Sequence, residues 1–149
     1  MRDLSVIFNN NSKPLAFAVV LGAVGALLNL YPVELAYNIS LVFGNLTFII
    51  AAAYLRPGLT LLSALIAVAP FTMLWGHPYG FLTFGLEAIF VAMLRGRGWY
   101  LPAADALYWL LIGMPLTAAL IWLNIESAQD FILFSTFKQG INAVFYTSI

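Results

Sequence analysis

Six separate apolar stretches, each close to the length needed to cross a bilayer, take up almost all of this 149-residue chain. A helix rises about 1.5 Å per residue and the hydrocarbon core is about 30 Å thick, so about 20 apolar residues make one crossing. The stretches lie at 14–31, 33–54, 59–75, 79–94, 105–123 and 131–149. Tyr31-Pro32, Arg56-Pro57-Gly58, Gly76-His77-Pro78, Arg95-Gly96-Arg97-Gly98 and residues 124–130 separate them. Proline removes a backbone donor and glycine permits tight turns, so these breaks predict helix ends. The runs are continuous rather than alternating with period two, which argues against a β-barrel.

Composition points the same way. Hydrophobic residues make up 63% of the chain and charged residues 8%, against about 25% charged in soluble domains. Six basic and six acidic residues cannot clothe a water-soluble body, so the lipid bilayer is the expected partner of most of the surface. A net charge of zero offers no basic patch for nucleic acid. Without cysteine there is no disulfide frame, thiolate nucleophile or thiolate metal site. No phosphate loop, nucleophile elbow, metalloprotease helix or paired-carboxylate motif occurs. No enzyme activity, cofactor or metal is therefore expected.

The expected fold class is all-α: a polytopic membrane bundle of six transmembrane helices. Residues 1–13, polar and rich in asparagine, form a cytoplasmic segment, and residues 14–149 form the membrane domain. Orientation follows from loop cations. Arg2, Lys13, Arg56, Arg95 and Arg97 fall on one side, whereas Glu34, His77, Glu126 and Asp130 occupy the other. Both termini are thus expected in the cytoplasm. Trp75, Trp99 and Trp122 stand at helix ends, where interfacial anchors belong.

Polar residues inside apolar spans are costly and count as functional candidates. Glu87 is the sharpest, near the middle of the fourth stretch, and Lys138 is the intramembrane cation available to pair with it. Either a ligand role or a structural hydrogen bond between helices accounts for Glu87. Glu34, Asn38, Leu41 and Asn45 share one face if 33–54 is helical, and that face serves binding or helix–helix contact equally well. Ser135, Lys138 or Gln139, Asn142 and Tyr146 make a similar stripe on the last stretch. His77, in a Gly-His-Pro-Tyr turn, fits a turn residue better than a ligand, although it and Tyr79 stand where a cavity mouth would open. The candidate ligand-binding set is Glu34, Asn38, Asn45, His77, Tyr79, Glu87 and Lys138. Ala18, Gly22 and Ala26 form a ridge of small residues suited to close helix approach, within the chain, in a homodimer or against another protein. Asp105, near a helix start, is expected to cap that helix or pair with Arg95 or Arg97.

With these residues placed, ISLVFG at 39–44, WGHPY at 75–79, LEAIFV at 86–91, DALYW at 105–109 and IGMP at 112–115 resemble the N-terminal membrane sensor regions of bacterial signalling proteins. The likeness covers the second to fifth stretches, about half the chain. It implies a six-helix input domain that binds a small-molecule ligand or senses membrane state. It also implies a homodimer through the helices and a signal passed by the last helix to a cytoplasmic output module. That module would be a histidine kinase of a two-component system or a cyclic-di-GMP cyclase or phosphodiesterase. The helix order, the small-residue first span and the Glu-bearing fourth span also resemble the substrate-binding S components of energy-coupling factor vitamin transporters.

The orientation is directly testable because the chain has no native cysteine. A single cysteine at position 77 should react with a membrane-impermeant thiol reagent from outside intact cells, and one at position 97 only after permeabilisation. The reverse pattern overturns the orientation.

Overall fold

The computed structural model describes residues 12–36, 39–76 and 78–124. Its elements are α1 (Ser12–Asn29), β1 (Val33–Ala36), β2 (Ile39–Leu41), α2 (Asn45–Tyr54), α3 (Pro57–Trp75), α4 (Tyr79–Gly96), α5 (Leu101–Tyr108), a π turn (Trp109–Gly113) and α6 (Met114–Asn124). The last three run on as one helix. The described residues are helical apart from one two-stranded hairpin and the short connections between elements, and four helical segments are long and apolar enough to cross a membrane: Ser12–Asn29, Pro57–Leu74, Tyr79–Gly96 and Leu101–Leu123. The expected sixth span, 131–149, lies outside the described residues.

The stretch 33–54 is not the single helix expected of it. Its first part pairs antiparallel, Val33 with Leu41, Glu34 with Ser40 and Ala36 with Ile39, with an irregularity between Glu34 and Ala36. Only Asn45–Tyr54 is helical, about 15 Å long at the ordinary rise, or half a hydrocarbon core. The reason is local. Pro32 interrupts the chain after α1, and Val33, Ile39 and Val42 are β-branched residues that suit an extended backbone. Glu34, Leu41 and Asn45 therefore do not share a helical face.

The chain is then pinned by Asn29, the last residue of α1 and fully buried. Its Oδ1 accepts from the Gly44 N–H at 2.9 Å, and its Nδ2 donates to the Ala67 carbonyl at 2.9 Å and to Asn45 Oδ1 at 3.4 Å. Ala67 lies three residues before Pro70, which sits inside α3. Pro70 has no N–H to give to the carbonyl of Ile66, and the bond from Asn29 falls on the next carbonyl along the helix, that of Ala67. Thr47 Oγ1 donates to the Gly44 carbonyl at 2.8 Å and completes the start of α2.

Small residues make this junction feasible. The buried face of α1 is Ala18, Gly22, Gly25 and Asn29, spaced four, three and four as one side of a helix requires. A Cβ at Gly22 would lie 2.8 Å from Ile66 Cβ and 2.9 Å from the Ser63 carbonyl, and one at Gly25 would lie 2.7 Å from Ala67 Cβ. The ridge expected at Ala18, Gly22 and Ala26 thus turns by one position: Gly25 makes the close approach and Ala26 is only half-buried. Its partner is α3 of the same chain.

The close pairs also set helix direction. Gly22 beside Ile66 and Gly25 beside Ala67 make α1 and α3 parallel, whereas Gly80 beside Phe71 and Gly85 beside Leu61 make α4 antiparallel to α3. Lys13, Arg56, Arg95 and Arg97 consequently gather, exposed, at one end of the bundle. Exposed Tyr54, Trp99 and Tyr100 lie at that end, and exposed Tyr31 and Trp122 at the other, a distribution suited to two interfaces. Between them the core is Phe48, Ala64, Val68, Phe71, Phe84, Ala88, Val91, Tyr108 and Trp109 with smaller neighbours.

Gly44→Ala should cost about 1–3 kcal/mol or more, the range for forcing atoms into a packed interior, because the new Cβ would meet the Gly25 carbonyl and the Asn29 side chain. Gly58→Ala, with open space around it, should change stability by less than about 1 kcal/mol. Unfolding midpoints of the detergent-solubilised proteins check the contrast, and equal midpoints would contradict the packing described.

Candidate functional site: a buried acid cluster on a π turn

The buried positions of α4 are Gly80, Thr83, Phe84, Gly85, Glu87, Ala88, Val91 and Ala92, a stripe at helical spacing. Glu87 is its one ionisable member and is 2% exposed. Helix α5 runs back along this stripe after a turn in which Gly98 takes φ of 87°, a left-handed conformation that favours glycine. Pro102 stands in the first turn of α5, where its missing N–H costs nothing.

Antiparallel packing brings Asp105 of α5 against Glu87. Asp105 is fully buried, whereas Arg95 and Arg97 are exposed in the preceding turn. Tyr100 is the N-cap of α5, so Asp105 does not cap its helix, and inside the bundle it meets the carboxyl of Glu87. One turn further, the Tyr108 hydroxyl donates to the Thr83 carbonyl at 2.5 Å. Trp109 is 1% exposed, and its indole N–H is turned towards the Glu87 carboxyl at a geometry short of a well-formed hydrogen bond.

Trp109 opens the π turn. Its carbonyl accepts from the N–H of Met114, five residues on rather than four. Pro115 has no N–H to give to the carbonyl of Leu111, and its ring crowds that carbonyl, so widening the helix by one residue relieves both problems. Gly113 is required beneath the indole, since a Cβ there would lie 2.7 Å from the Trp109 ring and 2.9 Å from the Tyr108 ring. The Gly-Met-Pro sequence at 113–115 therefore sets how Trp109 and Tyr108 are aimed.

Aromatic rings link this cluster to the Asn29 junction. Phe84 has its centroid 6.3 Å from Phe48, 5.7 Å from Phe71 and 6.0 Å from Trp109. Trp109 meets Tyr108 edge-on at 5.7 Å, and Tyr108 lies 5.7 Å from Phe90. Such tilted and edge-to-face pairs contribute about 0.5–1.5 kcal/mol each beyond their burial.

The candidate residues from the sequence distribute as follows. Glu87 is in the acid cluster. Asn45 is buried in the Asn29 junction, on the other side of the aromatic chain. Tyr79 is the first residue of α4 and half-buried, and Glu34 belongs to β1. Asn38, His77 and Lys138 lie outside the described residues, as does the expected Glu87–Lys138 pair. Three residues missed as site members are Asp105, Tyr108 and Trp109. Their spacing of three and one, four residues end to end, places them on one helical face, which is the signal that would have found them. Asn29 was legible in the same way, one turn beyond Ala18, Gly22 and Gly25.

Among the described residues there is no group of three or more His, Cys, Asp or Glu side chains able to hold a metal ion. Compared with known protein families, curated proteins and solved structures, the chain matches none.

Tyr108→Phe should lower stability by about 1 kcal/mol, the net worth of a typical hydrogen bond. Trp109→Ala should cost about 3–5 kcal/mol because it empties a packed site that Phe84, Tyr108 and Gly113 line. Denaturant unfolding in detergent measures both, and similar losses for the two variants would contradict this division.

Proposed function

We propose that this chain is the membrane-embedded sensory input region of a bacterial signalling protein. In this reading it crosses the inner membrane six times, its cation-bearing end and both termini face the cytoplasm, and it forms a homodimer through its helices. A small-molecule ligand or a change in membrane state alters the bundle, and the last helix carries the change to a cytoplasmic kinase or cyclic-di-GMP module. No catalytic role is assigned to the region itself.

The observation that supports this best is the Glu87–Asp105–Trp109 cluster. Two carboxyls buried among apolar side chains are expensive, and packing alone calls for neither. They sit beside a π turn, a local widening often found where helices move or bind. A stimulus that prefers one arrangement of α4 against the 101–124 helix shifts the population by its difference in affinity for the two.

The alternative, an S component of an energy-coupling factor vitamin transporter, needs a surface for its ATPase-driven partner. The small-residue face of α1, the natural choice in the sequence, is occupied by α3. This favours the sensory reading.

The test uses the whole gene product in native membranes. Beyond position 149, the reading frame should encode a kinase or a cyclic-di-GMP module. Glu87→Gln and Trp109→Phe should shift its output between about five-fold and a hundred-fold, corresponding to couplings of about 1–3 kcal/mol. Wild-type output from both variants at equal abundance, or vitamin uptake that depends on an ATPase partner, would overturn the proposal.

A further inference from the structure

The acid cluster also has the makings of a site for the smallest ligand available to a membrane protein. We propose that Glu87 is a reversible proton-binding group of the bundle interior, its proton held towards Asp105 and exchanged with water. The inference deepens the sensory reading by naming what the site takes up, and it rests on that reading only for its biological use.

Geometry carries the argument. Glu87 and Asp105 come from different helices and meet inside the bundle, 2% and 0% exposed. Side-by-side carboxylates in a medium of low dielectric repel strongly, and a proton on one turns the contact into an O–H to oxygen hydrogen bond. Glu87 Oε2 and the indole N–H of Trp109, both buried, face each other short of a well-formed hydrogen bond. A weakly bonded donor and acceptor, both buried, leave room in the bonding scheme for a mobile hydrogen and for one bridging water, which needs about two to four polar partners. An alkali ion fits less well, because it would have to draw its oxygen ligands from these same few groups and the Thr83 carbonyl nearby already accepts from Tyr108.

Among the described residues, the groups facing Glu87 are few. From α5 and the π turn they are Asp105, Tyr108 and Trp109. Helix α3 contains no titratable residue, and the one on α2, Tyr54, is exposed at the cation-bearing end. Lys13, Arg56, Arg95 and Arg97 are exposed at that end too. Uptake takes one proton from water and release returns it. Bond making and breaking is confined to the O–H of the carboxyl, so no oxidant or other reactant is needed. The mechanical consequence falls on the 101–124 helix, which is held to α4 when the proton is present and pushed from it when absent.

The experiment is difference infrared spectroscopy of the full-length protein in liposomes, stepped in pH, with tryptophan fluorescence read in parallel. The expected result is a carbonyl stretch of a protonated carboxyl that shifts in heavy water, vanishes at high pH, and is absent from Glu87→Gln. Asp105→Asn should move its frequency, and Trp109→Phe should remove the accompanying fluorescence change. Circular dichroism and melting of each variant establish that it is folded. If Glu87→Gln does not fold, the band's response to Asp105→Asn and Trp109→Phe decides the matter. A band absent at all pH values, a band unchanged in Glu87→Gln, or a fluorescence change driven by sodium or potassium at constant pH would overturn the proposal. These readouts need no output module, so failure here is distinguishable from failure of the sensory reading.

Discussion

One side-chain amide holds three parts of the chain in register. Asn29 takes the Gly44 N–H and gives to the Ala67 carbonyl, so the end of α1, the start of α2 and the middle of α3 are fixed together. In an apolar interior each of those groups left unmet would cost about 1–3 kcal/mol, and the glycines at 25 and 44 exist because nothing larger lets the backbones close enough to satisfy them. The hairpin and the half-length α2 follow from this junction: the chain is anchored at Gly44 and has only ten helical residues left before Arg56 and Pro57 turn it back.

The second organising feature is the face between α4 and the 101–124 helix. Here polarity is concentrated where the α1–α3 contact uses small residues. Glu87, Asp105, Trp109 and the Tyr108–Thr83 bond lie beside a π turn that Gly113 and Pro115 impose. Phe84 touches rings from both regions, so a shift at the acid cluster meets rigid aromatic packing before it reaches the Asn29 junction.

Much of the fold was legible because bilayer thickness and helix rise are fixed quantities. The lengths of the runs at 14–31, 59–75 and 79–94, the prolines and glycines between them, and the cations at alternate breaks set the helices and which ends lie together. The run at 33–54 misled, since hydropathy does not distinguish a buried helix from an extended segment followed by a short helix. Asp105 misled for a related reason: position near a helix start suggested a cap, yet which face of α5 meets α4 depends on the turn at 97–100 and on the widening at Trp109.

Sequence by itself determined that most of the chain is apolar helix, that Glu87 must sit inside something, and that α1 has a face made for close contact. Those properties are local, fixed by composition, spacing and the chemistry of single residues. Tertiary structure alone decided the partners: that Glu87 meets another acid, that Asn29 rather than Asn45 is the centre of its junction, and that the ridge on α1 is spent on α3. Partnership depends on the direction and rotation of whole helices, which arise from many contacts at once and leave no mark at any one position.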